Sequence, residues 1–148
     1  MSYTLKRRFI NVGDINNSGW TQYSNISTSS TDDITETDGS AWSVTTSQIT
    51  VPFGGYYIVG FTAYMIGSGN LRMNPNADLY INGSSQSVYS ASNYIRLAGG
   101  HDEASTQYSG IHELSQNDTV HFRWAQIGYT GTVQIQAGES SIFLHRIG

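Results

Sequence analysis

Four histidines and eleven carboxylates are the side chains of this sequence that could perform acid–base or metal chemistry, and cysteine is absent. Without cysteine, the chain can form neither disulfides nor thiolate metal sites. No two histidines stand at H-x-H or H-x-x-x-H spacing, so a zinc site would need distant histidines to converge in space. A structural or surface role is therefore favoured for all four: His101, His112, His121 and His145.

The segment His101-Asp102-Glu103 joins a histidine to two carboxylates directly after two glycines. The catalytic carboxylates of a glycosidase stand roughly 5–9.5 Å apart across a cleft, whereas sequence neighbours point in different directions. The segment is therefore interpreted as a solvated loop. The sequence also lacks the G-x-S-x-G elbow, the Walker loop and the G-x-G-x-x-G motif, and it predicts a protein without enzymatic activity.

An acidic stretch rich in Ser and Thr runs from Ser24 to Ser40. Ca²⁺ takes 6–8 oxygen ligands, which such a stretch could supply, but the spacing does not match the D-x-[DN]-x-[DN]-G calcium loop. An ordinary surface loop with a short strand near Ile34 is favoured over a Ca²⁺ site, and no cofactor is predicted. The carboxylates concerned are Asp32, Asp33, Glu36 and Asp38.

The one concentration of positive charge in the sequence is Lys6-Arg7-Arg8, in a chain whose net charge is −4. That net charge argues against nucleic acid as a partner, because such binding depends on neutralising phosphates. Two interpretations of the basic residues stay open: an arm that docks on an acidic partner surface, or an edge strand that its charges protect from aggregation. Residues 1–12 are accordingly predicted to be an arm or edge strand, and residues 13–148 to be the folded domain.

The rest of the sequence predicts one all-β domain. Of its 148 residues only 12% are charged, 16 are glycine and 10 are tyrosine, a composition typical of strands and turns. Apolar and polar residues alternate between turn signals at a spacing that predicts about eight to ten short antiparallel strands in a jelly-roll sandwich. No apolar run approaches the roughly 18 residues that cross a bilayer, and the first residues do not resemble a secretory signal.

Three segments give specific structural predictions. Gly55 to Met65 is apolar on both faces, so we expect a central strand that is covered on both sides. Ser43 to Val51 is predicted to be one strand that stops at Pro52. Asn82-Gly83, following the predicted strand Ala77 to Ile81, is typical of a type I′ hairpin.

Four segments occur in an order and spacing that one superfamily shares. They are Ile49-Thr50-Val51-Pro52-Phe53-Gly54-Gly55-Tyr56-Tyr57, Leu79-Tyr80-Ile81-Asn82-Gly83, Gly110 to Val120 and Ser140 to Ile147. Together they resemble the globular head of the C1q and tumour-necrosis-factor superfamily, over about Trp20 to Ile147. Two positions depart from the pattern: Asp118 follows Asn117 where the family often has Gly-Asp, and His145 stands where glycine is frequent. The resemblance implies a ten-stranded jelly roll that packs as a homotrimer about a three-fold axis.

Five aromatic residues on predicted strands are candidates for the trimer interface or for the core: Tyr57, Phe61, Phe122, Trp124 and Phe143. Interfaces are enriched in aromatic side chains, so the interface is favoured over the core for the aromatic residues that exceed what a core needs. His121 alternates with Val120 and Phe122 and is predicted to face away from them.

Lysine-poor β domains of this C1q-like type resemble accessory proteins of bacteriophage particles. The resemblance implies a capsid decoration (cement) protein, a homotrimer on the virion surface that binds the major capsid protein or another virion protein, with no membrane partner. The short stretch before the predicted domain favours this role over a fibre tip with its own shaft. The alternative is a receptor- or glycan-binding head of a tail fibre or collar, with loop tyrosines as contacts: Tyr89, Tyr94 and Tyr129.

Overall fold

The structure is a computed structural model that describes residues 4–8, 13–15, 21–22, 33–36, 42–68, 72–86, 91–96, 100–126, 132–136 and 139–148. Every regular element in these residues is a β-strand. In chain order the strands are β1 (Thr4–Arg8), β2 (Gly13–Ile15), β3 (Thr21–Gln22), β4 (Asp33–Glu36), β5 (Ser43–Val44), β6 (Ile49–Thr50), β7 (Gly55–Ser68), β8 (Arg72–Met73), β9 (Pro75–Ile81), β10 (Ser84–Ser85), β11 (Ala91–Ser92), β12 (Ile95–Arg96), β13 (Glu103–Leu114), β14 (Thr119–Gln126), β15 (Thr132–Ile135) and β16 (Ser141–Arg146).

The strands form two antiparallel sheets of seven strands each and one separate pair, β8 with β12. In the first sheet, here called the front sheet, β7 pairs with β13 on one side and with β15 and β16 on the other. The front sheet continues from β16 through β1 to β4, and from β15 to β2. In the second, the back sheet, the order is β10-β9-β14-β6-β5, with β11 on β9 and β3 on β14.

The core lies between the two sheets. The alternating side chains of strand β7 show how the sequence directs one face of the front sheet into this core. Its odd-numbered side chains, from Tyr57 to Met65, are fully buried, whereas Tyr56 on the other face is half-exposed. The ring of Phe61 packs edge-on against Phe122 and Trp124 of the back sheet, with centroids 4.6 and 4.9 Å apart. The predicted central strand is confirmed, but in the single chain its outward face is only partly covered.

The structure corrects the interface interpretation for four of the five candidate aromatic residues. The exposed fraction is zero for Tyr57 and Phe61, and it is 3% for Phe122 and 2% for Trp124. These four side chains fill the core of a single chain, where a neighbouring copy cannot contact them. Phe143 differs, because it is half-buried and lies on the outward face of the front sheet.

The prediction of a free arm or an edge strand is wrong for Thr4–Arg8. These residues form β1, which pairs with β16 on one side and with β4 on the other. Leu5 is fully buried in the core. The main-chain groups of the basic residues therefore belong to the interior of the sheet, and the apolar side chain of Leu5 explains why the segment is held there.

One turn agrees with the prediction from the sequence, and another turn replaces part of a predicted strand. Asn82 and Gly83 adopt φ angles of 50° and 75° in the two-residue loop between β9 and β10, which confirms the type I′ hairpin. The segment predicted to be one strand, Ser43 to Val51, is instead the β5–β6 hairpin. The hydroxyl of Thr45 accepts hydrogen bonds from the main chain inside that turn, an alternative to continuing the strand.

Candidate functional site

The outward face of the front sheet carries three of the five large hydrophobic side chains that are exposed in the described residues. Cross-strand register places three rows of outward side chains next to one another on β13, β7, β16 and β1. The rows are Glu113–Tyr56–Ile147, Ile111–Ile58–His145–Thr4 and Ser109–Gly60–Phe143–Lys6. Five of these side chains form what is called the apolar face below: Tyr56, Ile58, Ile111, Phe143 and Ile147.

Three large hydrophobic side chains on the apolar face are highly exposed to solvent. Tyr56 is 50% exposed, Ile111 is 62% exposed and Ile147 is 47% exposed. Of the five large hydrophobic side chains that are exposed in the described part of the chain, these three lie together on one face. Contiguous exposed apolar surface marks an interaction site far better than single exposed residues do.

The edges of the apolar face carry opposite charges. Lys6, next to Phe143, lies on β1 at one side, and Glu113, next to Tyr56, lies on β13 at the other. Strand β13 pairs only with β7 among the described strands, so its other edge lacks a partner strand. The side-chain amide of Asn93 donates to the carbonyl of Ser105 on that edge, at 3.0 Å. An open edge beside an apolar face is a surface that tends to associate.

The histidines do not assemble into a metal site in the described residues, where no group of three or more potential ligands occurs. His112 is buried, its Nε2 lies 3.0 Å from the hydroxyl of Tyr108, and burial lowers its pKa. The Nδ1 of His145 lies 2.6 Å from the hydroxyl of Thr4, and His101 is exposed. His112 and His145 thus each contact the hydroxyl group of a neighbouring side chain.

His121 faces away from Val120 and Phe122, as its alternation with them predicts, but it is only 3% exposed. Burial, together with the charge of Arg123, lowers the pKa of His121 to about 4. On the front sheet, a hydrogen bond with Glu103 is the main cause that raises the pKa of Tyr64 to about 12. Both groups are therefore uncharged at neutral pH.

Several candidate residues lie outside the described part of the chain: Asp32, Asp38, Tyr89 and Tyr129. Asp33 and Glu36 begin and end β4, which confirms a short strand near Ile34. Tyr94 is 48% exposed, and its main-chain N–H donates to the side chain of Asn93. The apolar face thus contains only Phe143 from the predicted site residues.

Sequence reasoning missed Ile111 and Ile147. The signal for Ile111 was present, because it is the one apolar residue in the alternating outward row of β13, among Ser105, Gln107 and Ser109. Without knowledge that this row faces away from the core, an isoleucine in an alternating strand is read as a core residue. Ile147 follows the last strand and carries no periodic signal of its own.

Comparison with known proteins supports the fold. No protein-family model matches the sequence, and no curated protein matches it. A solved structure described as Eiger TNF from S. frugiperda is similar, with a TM-score of 0.69 and 12% sequence identity. The alignment covers 99% of this chain and 93% of that chain. At this identity the similarity shows the fold alone, and the chain adopts a tumour-necrosis-factor-like all-β jelly roll, as the sequence resemblance implied.

Proposed function

We propose that this protein is a non-enzymatic structural protein of a virus particle, a homotrimeric capsid decoration protein that binds the outer capsid surface. The observation that carries the proposal is the apolar face, on which three exposed hydrophobic side chains lie together. A protein that works as a single chain gains nothing from this exposure, whereas a second copy would remove the apolar surface from water.

The charges around the apolar face suit contacts between copies of this chain. A head-to-tail contact brings the β13 edge of one copy, with Glu113, to the β1 side of the next copy, with Lys6, and so does a two-fold contact about an axis parallel to the strands. The three-fold symmetry that the resemblance implies selects the head-to-tail contact. Head-to-tail contacts close into rings when the rotation allows, and the implied three-fold arrangement is such a ring.

The virion role has its support in the resemblance to bacteriophage accessory proteins, and the structure changes how attachment would work. Because Thr4–Arg8 is an interior strand, a free basic arm cannot reach the capsid from these residues. Attachment then depends on surfaces that remain outside the ring, with the major capsid protein or another virion protein as partner.

Particle composition tests the proposal. Particles from the organism that carries the gene are separated on a density gradient, and mass spectrometry measures the ratio of this chain to the major capsid protein. A constant ratio with a copy number close to that of the capsid protein is the expected result. A few copies per particle would assign the chain to a fibre or collar instead, and its presence only in unassembled fractions would refute a virion role.

A further inference from the structure

The back sheet carries a second, polar cluster on its outward face, away from the apolar face. It consists of Asp78 and Tyr80 on β9 and of His121 and Arg123 on β14, which are cross-strand neighbours. Asp78 and His121 are each 3% exposed, whereas Tyr80 and Arg123 are half-buried. Two side chains of the cluster are therefore buried, and the two beside them remain partly accessible.

Arg123 contacts both His121 and Tyr80. Its Nε donates to the Nε2 of His121 at 3.3 Å, and its guanidinium carbon lies 4.2 Å from the centre of the Tyr80 ring. The rings of Tyr80 and His121 stack at 5.4 Å between centroids. These contacts use the Nε–H and one face of the guanidinium, and within the described residues its two terminal nitrogens make no hydrogen bond, so they can donate to a ligand.

Two buried atoms of the polar cluster lack hydrogen-bond partners in the described structure. One of them is an acceptor and the other is a donor. One carboxylate oxygen of Asp78 accepts from the hydroxyl of Ser85, but Oδ1 has no donor. The Nδ1 of His121 has no partner either. Because Nε2 of the neutral imidazole accepts from Arg123, Nδ1 carries the proton, so an unused donor and an unused acceptor share one face. Buried polar groups without partners are rare and call for an explanation.

We propose that the polar cluster is a binding site for a neutral saccharide, one hydroxyl of which is held by Arg123 and Asp78. A hydroxyl both donates and accepts, and so it can satisfy the Asp78 oxygen while accepting from Arg123 or His121.

The charges of the cluster select a neutral ligand. Asp78 and Arg123 are side chains of opposite formal charge, and His121 is uncharged at neutral pH, so the formal charge of the cluster is zero. A ligand carboxylate would meet Asp78, and a ligand ammonium would meet Arg123. Either like-charge contact is unfavourable, and the one at the buried Asp78 is the more costly.

The ligand would arrive from the side of β10. Ser85, the partner of Asp78, is exposed on that edge strand, and Arg123 and Tyr80 are the accessible members of the cluster. Arg123 would turn from the Tyr80 ring toward the sugar as the hydroxyl reaches Asp78. The site lies on the opposite sheet from the apolar face, so this proposal does not depend on trimer formation.

Saturation-transfer NMR on the full chain tests the proposal with the methyl glycosides of glucose, galactose, mannose and N-acetylglucosamine. Glucuronate, sialic acid and glucosamine are the charged comparisons. We expect signals from at least one neutral glycoside, weaker signals from its charged counterpart, and affinity at least about tenfold lower in both Arg123→Gln and Asp78→Asn. Tyr94→Ala, which changes an exposed loop tyrosine outside the cluster, is the matched control and should bind as the wild type does.

Three outcomes would overturn the proposal: no signal from any neutral glycoside, stronger binding of a charged sugar, or binding lost in Tyr94→Ala but kept in Arg123→Gln. The thermal midpoint and solution mass of each variant are measured first. Should Asp78→Asn fail to fold, Arg123→Gln, with its half-buried side chain, decides the question. Monomeric wild-type protein that binds the sugar would refute the trimer and leave this site standing.

Discussion

The ring of Phe143 on β16 lies against the backbone of Gly60 on β7, where a Cβ at Gly60 would stand 2.5 Å from the ring. The two residues are cross-strand partners in the outward row of the front sheet. Glycine at this position leaves room for the Phe143 ring on the outward face of the sheet.

Gly60→Ala is expected to destabilise the protein by about 1–3 kcal/mol, the usual cost of overpacking. The added Cβ would meet Phe143 and also the main-chain carbonyl of Tyr108, which cannot move without disturbing β13. Urea unfolding measures the loss. Gly54→Ala is the control, because a Cβ at Gly54 would find only ordinary contacts of 3.6 Å or more. Equal stability of the two variants would contradict the packing described.

Truncating Leu5 tests the placement of β1 inside the sheet. The side chain is fully buried, so Leu5→Ala should lower the unfolding free energy by about 2–5 kcal/mol. Lys6→Gln, which changes the half-buried outward neighbour, should cost less than about 1 kcal/mol. Deletion of residues 1–8 should likewise prevent stable folding. A deletion variant as stable as the full chain would restore the free-arm interpretation.

Much of this fold could be predicted from the sequence, since its signals are local. The apolar run from Gly55 to Met65 predicted the central strand β7, and Asn82-Gly83 predicted a hairpin. Local signals failed where a neighbouring strand decided the outcome. The pairing of β1 with both β16 and β4 joins segments far apart in the chain, and a basic triplet alone resembles an edge strand.

The candidate sites were harder to predict. The sequence can show on which face of a strand a side chain lies, but it does not show whether another element covers that face. Phe122 and Trp124 were candidates for the interface or the core and fill the core, whereas Ile111, which was not a candidate, faces outward. The polar cluster arises from the register of β9 with β14, which places Asp78 beside Arg123 although 44 other residues separate them in the sequence. Cross-strand register of this kind depends on the whole sheet.

Stability should fall as the pH drops from about 6.5 toward 4. Burial lowers the pKa of His121 to about 4 and lowers that of His112, so the unfolded chain takes up protons before the native protein does. The stabilisation is complete above pH 6.5 and is lost as protonation reaches the native state, with a slope of at most about 1.4 kcal/mol per pH unit for each histidine.

Urea unfolding at a series of pH values in this window measures the slope. His121→Gln should flatten it, whereas His101→Gln, at an exposed position, should leave it unchanged. A pH slope that is the same in wild type and His121→Gln would show that the buried imidazole does not carry the effect.

The hairpin between β9 and β10 should depend on Asn82. Its side-chain amide donates to Asp118 at 2.7 Å and accepts from the main-chain N–H of Thr119 at 2.9 Å, and its φ of 50° suits few other residues. Asn82→Ala is expected to cost about 1–3 kcal/mol from backbone strain and the lost hydrogen bonds. Thermal unfolding compares it with Ser84→Ala, at an exposed neighbouring position that should be close to neutral.

The mass of the protein in solution, measured by light scattering after size exclusion, tests assembly through the apolar face most directly. A homotrimer predicts about 49 kDa, three times the chain mass of 16.2 kDa, for the wild type. Ile111→Asp, which places a charge on the apolar face without touching the core, should reduce this to the mass of one chain, whereas Ser84→Asp on the back sheet should not. A wild-type protein of 16.2 kDa, or a trimer that Ile111→Asp leaves intact, would contradict assembly through the apolar face.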